Sequence, residues 1–276
     1  GDAMNELTQG FLGDPGMRCI PQIRDRAPDW FELAEAVNVY CHELMLKCLP
    51  KKDSGQQLLA SLLFNRVLSG FQAVFLLTER GMFTEACVQR RSVLEALFVL
   101  GAIWQQPDLV PIYVKNNQHR RRDLYLHMQK ISKAARKDFP QLPSGEEIAK
   151  TLAELIAATK GERYLGVEAL AQAALLHDTY LIEYTVLSGA AHHTVKDLEA
   201  GIDIDEHGDI RSLKWGPATG SPIGLLLPAI DHMLKAVYAM GSVFGVAVKE
   251  DQTRFLDRLH ELFDRDQDKA DDPDSL

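Results

Sequence analysis

Between Thr84 and Gln106 the chain is apolar on nearly every face that a helix would present, with Glu85, Arg90, Arg91 and Glu95 as the only charges. A helix of that kind cannot rest on a surface with one side in water. It needs neighbours all round. Its longest uninterrupted apolar run, Ala96 to Trp104 counting Gly101, has nine residues and is too short to cross a bilayer. The neighbours are legible on the N-terminal side. Trp30, Leu33, Val37, Cys41, Leu44 and Cys48 recur at spacings of three and four between Pro28, a good first-turn residue, and Pro50, which ends the stretch. A second amphipathic helix is predicted from a Ser54 cap to Gly81, with Leu59, Leu63, Val67, Phe71 and Val74 on its apolar side.

Further along, a long basic helix is predicted from Pro107 to about Phe139. It carries eight Lys and Arg against three Asp, a net +5, which leaves −14 on the rest of the chain. Ser144-Gly145-Glu146-Glu147 is a capping box opening the next helix, which Gly161 stops. Residues 167–177 and 178–200 read as one bent helix or two consecutive ones. Over 202–215 the period breaks to alternation around Glu206-His207-Gly208-Asp209, the pattern of a small β-hairpin. Ser221-Pro222 starts another helix, with Pro228 inside it, and 250–265 form the last. The expectation is an all-α fold: a single bundle-like domain of seven to nine helices over 28–265, with a hairpin near 202–215. An irregular lead-in is expected over 1–27, where Gly10, Gly13, Pro15, Gly16 and Pro21 interrupt any pattern. An acidic, exposed tail is expected over 266–276.

Composition narrows the function classes. The chain is 46% hydrophobic and 25% charged, which excludes disorder and collagen-like repeats. A net charge of −9 excludes a protein that coats nucleic acid with its whole surface. Four cysteines, none in a Cys-x-x-Cys pair, suggest reduced core thiols and a cytoplasmic setting. The first residues lack a basic stretch followed by an apolar core, so no secretory signal is expected. No membrane association is expected either, since the apolar stretch Ile223–Val248 carries Asp231, His232 and Lys235. There is no phosphate loop, no dinucleotide fingerprint, no His-Glu-x-x-His helix and no Glu-x-x-His pair. Neither a metal nor a cofactor is expected.

Two constellations stand out. Arg91 and Glu95 are one turn apart on the apolar helix, which predicts a largely buried, mutually paired couple. Such a couple can lock helix register, or Arg91 can grip an anion while Glu95 orients it or acts as a base. Tyr184, Ser188 and His192 fall within an arc of roughly 80° on a later helix. They can be satisfied polar groups inside a bundle. Alternatively, His192 can serve as an acid or base with Ser188 as its hydrogen-bonding partner. His193 points elsewhere and is expected at the surface.

Arg91-Ser-Val-Leu-Glu95 followed by Tyr184-Thr-Val-Leu-Ser188-Gly-Ala-Ala-His192 resembles a bacterial family of unknown function whose members carry an Arg-x-x-x-Glu helix and a Tyr-x-x-x-Ser-x-x-x-His helix. The resemblance spans about residues 60–200 and implies an all-α fold without an assigned reaction. A second similarity lies on the basic helix. Arg122-Asp123-Leu124-Tyr125-Leu126-His127 resembles the Arg-polar-x-x-x-His signature of HEPN-type helical ribonucleases. That resemblance implies metal-independent RNA cleavage by Arg122 and His127 from paired subunits, with His moving the 2′-hydroxyl proton and Arg holding the phosphorane charge. The bland reading of the same stretch is a solvated basic face.

The leading expectation is a helical protein with a polar site built by Arg91, Glu95, Tyr184, Ser188 and His192 for a small anionic or polar ligand. In it, Glu95 and His192 are the candidate catalytic groups. The alternatives are a HEPN-type ribonuclease acting on RNA and a non-enzymatic module that dimerises through the basic helix. A homodimer is expected.

Overall fold

The computed structural model describes residues 9–192, 195–199, 201–214 and 216–270; His193, Trp215 and the end of the acidic tail lie outside the described residues. Among the described residues the chain is 75% helical, with one small two-stranded antiparallel sheet and ten helices of seven residues or more besides shorter ones. We number them α1 (Asp14–Arg24), α2 (Pro28–Lys47), α3 (Gly55–Glu79), α4 (Phe83–Gln105), α5 (Leu109–Gln129), α6 (Gly145–Thr159) and α7 (Val167–Ala173). A helical turn, His177–Thr179, runs through a π-helical segment, Tyr180–Tyr184, into α8 (Thr185–His192). Then come α9 (Val195–Glu199), the hairpin β1 (Ile202–Ile204) and β2 (Ile210–Leu213), α10 (Ile223–Phe244) and α11 (Lys249–Ala270).

The all-apolar helix is α4, and it is central as its composition requires. It packs against α3, α10, α7 and α8, and Leu94, Phe98, Leu100, Ala102 and Ile103 are fully buried. The α3–α4 approach is close because Gly70 faces Val93: a Cβ at Gly70 would sit 2.5 Å from Val93 Cγ2. α10 fills the remaining side of α3 and α4 and also meets α2 and α11. α3 and α10 are each long and apolar enough to cross a membrane, and both pack into this core. α5 and α6 pair with each other and touch the body only lightly.

The caps read from sequence are in place. Ser144 Oγ accepts from Glu147 N while Glu147 Oε2 accepts from Ser144 N, and Ser54 Oγ accepts from Gln57 N. Three expectations need correction. First, the lead-in contains helix α1. Pro15 falls in its first turn, where a missing N–H costs nothing, and Pro21 forfeits a single bond inside it. Burial of Cys19 and Ile23, together with ion pairs from Arg24 to Glu35 and Glu79, outweighs that loss. Second, the basic helix ends at Gln129. Beyond it, Ser132 Oγ caps a turn at Ala135 N and Arg136 donates to the Pro143 carbonyl, folding the chain back so that α6 can cover α5. Third, helix α11 continues to Ala270, and Asp266 is buried there. Its carboxylate accepts from the fully buried Trp30 indole Nε1 at 3.1 Å and from Arg265, which also reaches Asp29.

The Asp266 contact ties the last helix to the first long one. Asp266→Ala leaves a buried indole N–H without its acceptor, and should lower stability by about 1–3 kcal/mol in denaturant unfolding. An unchanged midpoint and slope would show that Trp30 does not depend on the tail.

Candidate functional site

Segment 177–192 lies against α4, and the two helices bring the first constellation together. Arg91 Nε donates to Ser188 Oγ at 3.2 Å, and Arg91 Nη2 donates to Tyr184 Oη at 2.7 Å. The Tyr184 hydroxyl donates to Glu95 Oε1 at 2.8 Å, and Arg91 Nη1 lies 3.2 Å from the same oxygen. Ser188 Oγ in turn donates to the Tyr184 carbonyl. The guanidinium also sits 4.8 Å from the centre of the Tyr184 ring, on which Tyr180 stacks from within the π-helical segment. Four of the five expected residues therefore form one network across a sequence separation of about ninety residues.

Burial of Tyr184, with the Glu95 carboxylate as hydrogen-bond acceptor and nearby charge, pushes the phenol up to about 12. It stays protonated at neutral pH and remains a donor to Glu95. The expected deep burial is not found: the side chains of Arg91 and Glu95 are 27% and 40% exposed. Helix α4 turns this pair toward its rim, with the Tyr184 ring against the guanidinium. His192 ends α8 and is exposed. Among the described residues no hydrogen bond or ion pair joins it to the other four.

The buried charge on α4 is the neighbouring residue, Arg90, which the sequence reading passed over. Arg90 Nη2 pairs with Glu183 Oε2 at 3.2 Å, and His232 Nε2 of α10 lies 3.0 Å from that same oxygen. The arginine side chain is 6% exposed and the imidazole is fully buried. The His232–Glu183 contact has the distance of an ion pair with a poor hydrogen-bond angle, and Arg90 Nε and His232 Nδ1 are left without hydrogen bonds. The π-helical segment makes this inner layer possible. Its wider turn lets the adjacent side chains Glu183 and Tyr184 both address α4, the first inward to Arg90 and the second outward to Arg91. A histidine in a largely apolar α10, beside Asp231, was the available signal.

Burial pulls the His232 imidazole below its ordinary value, Glu183 opposes this, Arg90 adds to it, and Asp231 opposes it weakly. Burial alone would raise Glu183, but His232, Arg90 and Lys235 outweigh it and hold the carboxyl low.

The second constellation is not assembled within the chain. Arg122 and His127 are five residues apart on α5, about 140° around the helix. The Arg122 guanidinium is engaged by Asp123 Oδ1 at 3.0 Å and by Thr159 Oγ1 at 3.3 Å, while His127 is exposed. A cleft between α2 and α11, lined by Asp29, Glu32, Arg254 and Arg258 among others, shares no residue with either constellation. Among the described residues no three His, Cys, Asp or Glu side chains are grouped to hold a metal ion. Cys41 and Cys48 are buried free thiols, and Cys19 and Cys87 are buried as well, Cys19 Sγ donating to the Arg80 carbonyl.

The fold and site thus define an all-helical protein with a two-layered polar seam between α4 and the 177–192 segment. The profile of a family of unknown function, DUF5677, matches residues 57–210, more than half of the chain, and the chain belongs to that family. The matched region contains α4 and the whole 177–192 segment. No curated protein and no solved structure matches the chain.

Two measurements separate the layers. Arg90→Ala strips a buried cation from Glu183 and should cost about 3 kcal/mol, whereas Arg91→Ala at the half-open rim should cost about 1 kcal/mol. Equal losses in denaturant unfolding would contradict this ordering. The pH dependence follows from the same layer. The folded chain keeps His232 neutral and Glu183 charged, so the unfolded chain binds more protons as pH falls. Stability should be full above the ordinary histidine value near 6.5 and decline below it, with a further loss as pH falls through the carboxylate range. In His232→Leu the decline between pH 7 and 5 should flatten, and a melting profile identical to the wild type would remove His232 from the account.

Proposed function

We propose that the Arg91–Glu95–Tyr184–Ser188 cluster, with His192 at its edge, binds a small ligand that carries an anionic group beside a hydrogen-bond donor. The observation behind this reading is the way Glu95 is used. Tyr184 and Arg91 both address Oε1, and no described contact occupies Oε2 of this half-exposed carboxylate. Oε2 is an acceptor for the ligand's donor. The outward N–H groups of Arg91 meet its anion, and the three-point hold on the guanidinium fixes their direction before the ligand arrives. A pair that served only to lock helix register gains little from remaining open to water, where an ion pair contributes about 0–1 kcal/mol. His192 stands one turn beyond Ser188, where it can reach a ligand that overlies the cluster. If the ligand reacts, Glu95 and His192 are the groups able to take or give a proton.

The test is a thermal-shift and calorimetric series with inorganic phosphate, malonate and hydroxy acids. Binding to the wild-type chain should weaken roughly ten- to a hundredfold in Arg91→Met, the loss of one charge-assisted contact. It should weaken less in His192→Ala and remain unchanged in His127→Ala. No binding of any of these compounds, or binding indifferent to Arg91→Met, would overturn the reading. RNA cleavage that persists in EDTA and disappears in His127→Ala would replace it with the ribonuclease.

A further inference from the structure

Exposed large apolar side chains are not spread evenly over the surface. Among the described residues, nine of twenty-six fall in the span from Leu175 to Leu213, about three times their density elsewhere. In the helical part, Leu181, Ile182 and Val186 point away from α4 and are exposed. In the hairpin, Ile202 is opposite Leu213, and Ile204 is opposite Ile210. Directly opposed residues share a face of the ribbon, so these four make one apolar face. The β-bulge between Asp203 and Ile204 is the reason: the extra residue, Arg211, brings Ile210 and Leu213 to the same side although they are three apart. A two-stranded ribbon is marginal by itself in water, and this one packs on little of the body.

We propose that this surface joins two copies of the chain, with the free edge of β2 pairing antiparallel across a two-fold axis. The residues of β2 and its flanks fit such a dyad. With the axis between Arg211 and Ser212, Asp209 faces Lys214 and Ile210 faces Leu213, so charges are matched and the apolar face continues over four strands. The other edge does not fit. A dyad centred on β1, through Asp203, sets that carboxylate against its own copy, a like-charge contact. The basic helix α5, the other surface expected to dimerise, offers no comparable self-matching pattern.

Light scattering and sedimentation on the full chain test this. The wild-type chain should be dimeric at micromolar concentration. Ile210→Asp should shift it to monomer while leaving the circular dichroism melt in place, because the residue is exposed. Lys214→Asp should weaken the dimer at least tenfold, and Asp209→Lys combined with Lys214→Asp should restore it. Leu124→Asp on α5 should change nothing. A wild-type monomer at 100 μM, or a dimer unaffected by Ile210→Asp, overturns the proposal. A dimer broken by Ile210→Asp but not restored by the charge swap overturns the β2 dyad.

Discussion

Everything in this fold depends on α4 being apolar on nearly every face. A helix that is apolar on nearly every face must be covered by other helices, and α3, α10, α7 and α8 cover all but the rim that carries Arg91 and Glu95. The close α3–α4 packing at Gly70 and the meeting of Gly101 with Ala174 are consequences of that demand. The same demand makes the two arginines of α4 informative. A cation on such a helix needs a partner brought from another element, and the chain brings two. Glu183 comes to Arg90, and Tyr184 comes to Arg91.

The two layers illustrate different balances. Arg90, Glu183 and His232 are mostly out of water, with several donors unsatisfied, so this layer is a poor source of net stability and a sensitive one to disturb. Its value is positional: it fixes the π-helical turn on which Tyr184 stands. The outer layer is half open and hydrogen-bonded through the Tyr184 hydroxyl, with Oε2 of Glu95 outside the described contacts. A rigid, partly buried support beneath an accessible polar cluster is an arrangement suited to a preorganised binding site.

Much of this was legible beforehand. The helices Pro28–Lys47, Gly55–Glu79 and Phe83–Gln105, the Ser144 capping box and the hairpin near 202–215 follow from local periodicity and turn chemistry. The alignment of Arg91 with Glu95, and of Tyr184 with Ser188, also follows, since each pair lies along one helix; that the two pairs meet is a contact between distant elements. Helix α1 was hidden because prolines and glycines count against a helix locally, while the burial of Ile23 that stabilises it is a long-range contact. The bend after α7 was expected at 177–178, and the structure sets it a few residues earlier. Leu175 takes a left-handed conformation, φ +60°, where glycine would have announced the end.

The sequence by itself determined the helical class, the central place of Phe83–Gln105 and the faces on which polar residues line up, because these depend on spacing along one element. Only the tertiary structure decided which arginine is buried. Arg90 and Arg91 are adjacent in sequence and about 100° apart on the helix, and their fates depend on where α10 and the 177–192 segment pass. The π-helical turn, the arrival of His232 from α10 and the seating of Asp266 against Trp30 are likewise contacts between distant parts of the chain. Periodicity reports which side of a helix is apolar; which partner meets that side is set by packing the whole chain at once.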